Sequence, residues 1–185
     1  ILILVVIAIP SFRLLFFQYS FPKPDLTIKA TGNAWFWEHE YPGTTPEDKT
    51  FTVTSNMLSD EEVAEKVKSG IPTPRLLAVD NEILVPVNKV VHMLVTSNDV
   101  IHNWTIQPFG SKIDAVPGRL TATWFRPEYE GVFYGQCSEL CGMNHAFMPI
   151  AVRVVKQETY DQWTTAMKAG DRKKALALAE AKILP

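Results

Sequence analysis

With 185 residues, 46% of them hydrophobic, the chain can bury one good core but not several. Eighteen basic against twenty acidic residues leave it near neutral, which excludes the strongly basic footprint of a nucleic-acid-binding protein. The charge is uneven: from Asp25 to Val100 there are twelve Asp/Glu against six Lys/Arg, and from Ile101 onward eight against ten. An acidic first half suits a basic partner steered by long-range charge, although on counts alone a solvated surface is the simpler reading.

The first seventeen residues, ILILVVIAIPSFRLLFF, are almost continuously apolar. A bilayer span takes about 20 such residues, and the run lacks the basic start and small-x-small cleavage site of a signal peptide. It reads as the latter part of a transmembrane helix over 1–18, where Pro10 is tolerated and Arg13 reaches toward the interface. Residues 19–26, with Pro22 and Pro24, read as a short stiff linker. The stretch TIKATGNAWFWEHEYPG follows, and alternation puts Trp35 and Trp37 on one side of a strand. Ser59-Asp60-Glu61-Glu62 has the form of a capping box and opens a short charged helix ending near Ser69-Gly70. Beyond the breakers Pro72 and Pro74, LLAVD, EILVPV, KVVHMLVTS, HNWTIQP, TATWFRP, GVFYGQ and PIAVRVV read as strands. Many short strands at this spacing predict an all-β sandwich or barrel over 27–157. A helical tail over 158–185 breaks at Gly170 and restarts with Asp171 as N-cap.

Both cysteines of the chain fall in YGQCSELCGMNHAFMP, where Cys137 and Cys141 are followed by His145 and Met148. A disulfide four residues apart closes too short a loop to constrain much, and it leaves His145 and Met148 unexplained. Zinc would take two Cys and two His but has no use for Met148. Thiolate, imidazole and thioether together are a copper signature on a β-sandwich. A mononuclear blue site needs one thiol fewer than the chain offers. Two thiolates can instead each bridge two coppers, with one His per copper, one Met and one backbone carbonyl completing the set. That count fits Cys137, Cys141, His145, Met148, the carbonyl of Glu139 and one upstream histidine. Of His39, His92 and His102, the last lies just past the turn Ser97-Asn98-Asp99 and is the choice made here. Met143 is the rival to Met148, but it sits between Cys141 and His145, where a ligand is harder to fit.

At these residues the chain resembles subunit II of the haem–copper cytochrome c oxidases. The resemblance runs through AWFWEHEYPG, RLLAVDN, SNDVIHNWTIQPFGSKIDAVPGRL and YGQCSELCGMNHAFMPI, in that order. It implies a cupredoxin-like Greek-key β-barrel holding the dinuclear copper centre CuA on His102, Cys137, Glu139 (through its carbonyl), Cys141, His145 and Met148. It also implies that the Glu139 side chain contributes to a magnesium or manganese site shared with subunit I, the subunit that carries the haem. Trp35 resembles the entry point for electrons from cytochrome c, with Glu40, Asp80 and Asp99 on an acidic docking surface. The partners implied are cytochrome c, subunits I and III, and the lipid of a bacterial or mitochondrial inner membrane. The family normally has two transmembrane helices, and the run at the start supplies the end of one. Three rivals share parts of the motif: the copper domain of a nitrous oxide reductase, a membrane-anchored copper-delivery protein, and a copper-free quinol-oxidase subunit II. Glu139 and the apolar run weigh against the first, His145 and Met148 against the second, and both cysteines against the third.

Overall fold

The apolar run forms helix α1 (Leu2–Tyr19), with Pro10 inside it and none of its side chains buried. In this computed structural model, which describes residues 1–43 and 48–180, α1 is the one helix among the described residues long and apolar enough to cross a membrane. Apolar on nearly every side, it has no polar face to turn to water, and none of it is buried against the barrel.

The stretch that reads as a single strand around the two tryptophans is a hairpin. β1 (Leu26–Asn33) and β2 (Phe36–Tyr41) pair antiparallel, so Trp35 lies in the turn between them and only Trp37 points into the core from a strand. Alternation alone could not see the reversal at Ala34-Trp35, because neither residue is a usual turn former. β2 also pairs with β3 (Phe51–Ser55), the strand FTVTS, which sequence reading passed over. The capping box forms as expected: the Ser59 hydroxyl accepts from Glu62 N–H while the Glu62 carboxylate accepts from Ser59 N–H, opening α2 (Asp60–Lys68).

LLAVD is not a strand. It folds as a turn with Leu76 at φ +67°, joined by an isolated bridge from Val79 to Met57, in the segment just after β3. The prolines at 72 and 74 remove ladder donors just before it. β4 (Ile83–Pro86), β5 (Val91–Ser97), β6 (His102–Ile106), β7 (Ser111–Ala115), β8 (Thr121–Phe125), β9 (Gly131–Gln136) and β10 (Pro149–Val155) complete the strands. β7, reading SKIDA, is too polar to stand out by itself; it forms as the return arm of a hairpin turned at Gly110, which sits at φ +66°.

The strands make a five-stranded sheet in the order β3-β2-β1-β5-β8, a three-stranded sheet β4-β10-β9, and the hairpin β6-β7, enclosing one core. The all-β expectation holds. Trp104 stacks on Phe125 and Phe125 on Phe109 at the centre of that core. β6 and β9 come very close: a side chain at Gly135 would collide with the Thr105 carbonyl. That approach sets the last residues of β9, and therefore Cys137, beside the start of β6.

The tail forms α3 (Gln157–Lys168) and α4 (Arg172–Glu180), the second capped by Asp171, whose carboxylate accepts from Lys174 N–H at 3.1 Å. Trp163 of α3 seats edge-on against Tyr41 and Phe51 of the barrel; burial of one such ring is worth about 2–3 kcal/mol. Residues 181–185 of the expected tail lie outside the described residues.

Candidate metal centre

β9 ends at Gln136 and hands the chain to a loop that closes at β10. The Cys137 N–H donates to the Met148 carbonyl at 3.0 Å, tying the two ends of the loop together, and Ser138 N–H donates to the Asn103 carbonyl at 3.2 Å, tying it to β6. Within this frame both cysteines are buried free thiols, their Sγ atoms 3.8 Å apart. A disulfide bond would need about 2 Å.

An imidazole stands at each end of the thiol pair. Nδ1 of His102 lies 3.9 Å from Cys137 Sγ, and Nδ1 of His145 lies 3.4 Å from Cys141 Sγ. The donor atoms of His102, Cys137 and Cys141 fall within 4.8 Å of one another. The Glu139 carbonyl is 3.4 Å from Cys137 Sγ, while the Glu139 side chain belongs to the exposed part of the loop. His145 opens a single 3₁₀ turn through residue 147, and its N–H donates to the Gly142 carbonyl, which swings its ring back over Cys141. The two methionines separate cleanly: Met143 is 84% exposed, whereas Met148 is 1% exposed and part of the core beside the thiols. The three upstream histidines separate as well. His39 is buried and accepts from Trp104 Nε1–H, and His92 bonds the Pro22 carbonyl; only His102 reaches the cysteines.

His102 is held from behind. Its Nε2–H donates to Asp99 Oδ1 at 2.8 Å, and the other Asp99 oxygen accepts from Ala34 N–H at 2.6 Å. A carboxylate can only accept here, so the Nε2 position carries a proton and Nδ1 is the nitrogen turned toward Cys137. The Trp37 ring meets His102 edge-on at 5.9 Å, and a Cβ at Gly32 would lie 2.7 Å from the imidazole. Sequence reading placed Asp99 on a docking surface and missed this bond; its position three residues before His102 was the available signal.

Trp35 closes the outer side. Its Nε1–H donates to the Cys141 carbonyl at 3.1 Å, and its ring lies against Gly142, where a Cβ would come within 3.2 Å. Gly142 also sits at φ +117°, so the loop passes the indole only with glycine at that position. Glu40 lies near the end of β2 opposite Lys29 and Thr52, and Asp80 closes a turn by accepting from Asn56 and Asn81 N–H; neither carboxylate hydrogen-bonds to the cluster.

Electrostatics favour one thiolate over two. Burial pushes the Cys137 thiol up, but its hydrogen bonds with His102 and the neighbouring backbone outweigh that and bring it down to about 6. Burial and the charge on Cys137 together push Cys141 up to about 12. Burial lowers His102 while Cys137 and Asp99 raise it, and the raising contacts prevail. A cation between the sulfurs would favour the second thiolate. Two sulfurs with two imidazoles would also suit zinc; the Met148 thioether buried in the same core cluster as the thiols is what fits the set to copper.

Residues 26–155 match the family model described as the periplasmic domain of cytochrome c oxidase subunit II. This chain belongs to that family. Curated relatives include the probable cytochrome c oxidase subunit 2 of Rickettsia bellii, 48% identical over 90% of this chain, and cytochrome c oxidase subunit 2 of Cereibacter sphaeroides, 45% identical over 92%. The chain spans 58% of the length of each of those two relatives. Among solved structures, the periplasmic domain of subunit II of cytochrome oxidase from Bradyrhizobium japonicum is 49% identical, with a TM-score of 0.71, covering 82% of this chain and 99% of that one. A mixed-disulfide complex of a thioredoxin-like protein with a subunit II periplasmic domain aligns at 48% identity and a TM-score of 0.65, over 82% of this chain and 96% of that one. The cupredoxin-like barrel expected for the family is the fold observed.

Proposed function

We propose that this chain is the electron-entry subunit of a cytochrome c oxidase and holds a dinuclear CuA centre. The observation that carries the reading is the row His102, Cys137, Cys141, His145, with two free buried thiols at its centre and an Nδ1 atom facing each. Cys137, Cys141, His102 and His145 would hold the copper, with Met148 and the Glu139 carbonyl as the further donors. Copper bound there would supply one-electron transfer.

The chain's own residues do the rest. Asp99 fixes the tautomer and angle of His102, Trp37 and Gly32 fix its ring plane, and Trp35 ties the outer surface directly to the backbone of Cys141. Electrons from cytochrome c enter at Trp35, with Glu40, Asp80 and Asp99 supplying negative charge for a basic docking partner. Exposed Val100, Ile101, Leu140 and Met143, all adjacent in sequence to site residues, add apolar contact area. The exposed Glu139 carboxylate is available to a magnesium or manganese ion shared with subunit I. The electron leaves toward the haem and copper of subunit I, where dioxygen is reduced to water and protons are moved across the inner membrane; subunit III is a further neighbour in that complex. A step before metal loading follows from the thiol pair: if oxidised to a disulfide, it loses both donors, and exchange with a dithiol protein of the thioredoxin type restores them. The mixed disulfide formed by a similar domain supports that step.

Copper content and EPR of the metal-loaded barrel test the reading. Two coppers per chain with hyperfine splitting from both nuclei are expected. One copper with splitting from a single nucleus would overturn the bridged site and favour a copper-delivery role.

A further inference from the structure

The two residues before Trp35 are each held by a carboxylate. Asp99 Oδ2 accepts from Ala34 N–H at 2.6 Å. Glu38 Oε2 accepts from Asn33 Nδ2–H at 3.3 Å, a bond between the two arms of the β1–β2 hairpin. Asn33 Oδ1 in turn accepts from Asn98 Nδ2–H at 2.9 Å, and Asn98 N–H donates to the Gly32 carbonyl at 3.1 Å. Two asparagines therefore join Glu38 to the turn that carries Asp99, the partner of His102.

β2 fixes which way Glu38 faces. Its residues alternate, with Trp37, His39 and Tyr41 buried and Phe36, Glu38 and Glu40 partly exposed on the other side. Glu38 therefore shares the outer face with Glu40 but stands two residues nearer to Trp35, about 6.6 Å along an extended strand.

The other carboxylates of this region are engaged within the chain. Asp99 Oδ1 accepts from His102 Nε2–H and Val100 N–H, while its second oxygen holds Ala34. Asp80 accepts from the N–H groups of Asn56 and Asn81 and from the Asn56 side chain. Glu40 stands directly opposite Lys29, an unlike charge on the same face of the sheet. Glu38 differs from all three. Its cross-strand neighbours are Thr31 and Thr54, both uncharged. Among the described residues it has no ion-pair partner, and only Oε2 is bonded. Asn33 thus holds one oxygen in place and leaves Oε1 open, so the side chain has less freedom to lose when a partner binds.

We propose that Glu38 is a specificity-determining residue of the electron-entry face, pairing through its open oxygen with a lysine or arginine of the basic donor that docks at Trp35. The inference rests on the functional reading above and adds a residue to it. A donor without a cation at that place leaves Glu38 unpaired at the contact, which selects against neutral and acidic donors.

The copper-loaded full chain in nonionic detergent, mixed with reduced lysine-rich cytochrome c in a stopped-flow instrument, provides the test. At about 0.1 M salt, where screening acts over about 10 Å, Glu38→Gln should lower the second-order rate constant by about two- to fivefold. Glutamine keeps an acceptor for Asn33, so the copper spectrum and the extent of reduction by ascorbate should match the parent chain. Calorimetry on the metal-free chain should show the affinity for cytochrome c falling by a similar factor. Both differences should close as salt approaches about 1 M. Glu158→Gln removes the same charge from α3, the helix that packs at the Tyr41 end of β2, and should change neither quantity. Equal rates and affinities in Glu38→Gln and the parent, a loss that persists at high salt, or an equal loss in Glu158→Gln overturns the assignment and leaves the electron-entry reading in place. A parent chain that ascorbate reduces but cytochrome c does not overturns both.

Discussion

Asp99 Oδ1 accepts the Nε2–H of His102 at 2.8 Å, and this bond turns the other imidazole nitrogen toward Cys137. The same carboxylate holds Ala34 N–H in the turn that carries Trp35. One side chain therefore orients a proposed copper ligand and the proposed electron entry point together. Burial raises Asp99, yet its bonds to His102, Val100 and Ala34 hold it below the usual carboxylate range, so it is an acceptor at neutral pH.

Asp99→Ala should weaken copper binding by about ten- to a hundredfold, the usual effect of losing the partner behind a ligating histidine. Asp99→Asn, which keeps an acceptor oxygen, should stand much closer to the parent chain. Competition with a chelator of known affinity measures both. Equal loss in the two variants would mean that charge, rather than the bond, matters.

Two glycines should separate the site from the fold. A methyl at Gly32 meets the movable ring of His102 at 2.7 Å, so Gly32→Ala should shift the copper spectrum at a cost of about 1–3 kcal/mol in stability. A methyl at Gly135 meets the backbone carbonyl of Thr105, which no rotamer relieves. Gly135→Ala should cost about 4 kcal/mol or more and yield little folded protein. Circular dichroism and EPR on the two variants check the contrast, and a folded Gly135→Ala chain with an unchanged melting curve would refute it.

The candidate site was legible in the sequence where chemistry is packed into one loop. Cys137, Cys141, His145 and Met148 lie within twelve residues, and their donor types alone exclude most alternatives. His102 was harder, because three histidines compete upstream, and only the fold shows that His39 is spent on Trp104 and His92 on the linker. What stayed hidden depends on the third dimension. Trp35 looked like a strand residue because its turn has no glycine or proline, and β7 was invisible because its residues are held by a hairpin partner rather than by their own pattern. The bond from Asp99 to His102 was masked by a carboxylate's more ordinary role as surface charge.

His39 should give the barrel an acid sensitivity. Burial pushes its imidazole from 6.5 down to about 3, so it stays neutral in the folded chain, accepting from Trp104 Nε1–H at 3.3 Å. Below pH 6.5 the unfolded chain takes up a proton that the folded chain refuses. Stability then falls as pH falls, by about 1.4 kcal/mol per unit, until the folded form also protonates near 3. Urea unfolding of the barrel at pH 7 and pH 5 should show a loss of about 2 kcal/mol from this residue. His39→Gln, which keeps an acceptor for Trp104, should remove that part, and an unchanged slope would refute the assignment.

Met148 and Met143 offer a matched pair, since both are thioethers in the same loop but only Met148 is buried with the thiols. Met→Leu conserves volume, so Met148→Leu should cost less than about 1.5 kcal/mol in stability. If Met148 would hold copper, loss of its thioether should nevertheless move the reduction potential and the absorption bands of the loaded protein, because the donor set tunes such sites. Met143→Leu, at an exposed position, should leave potential and spectrum as they are. Protein-film voltammetry on the two variants measures the difference directly. A shift in Met143→Leu with none in Met148→Leu would reverse the ligand assignment, and silence in both would remove the methionines from the copper site altogether.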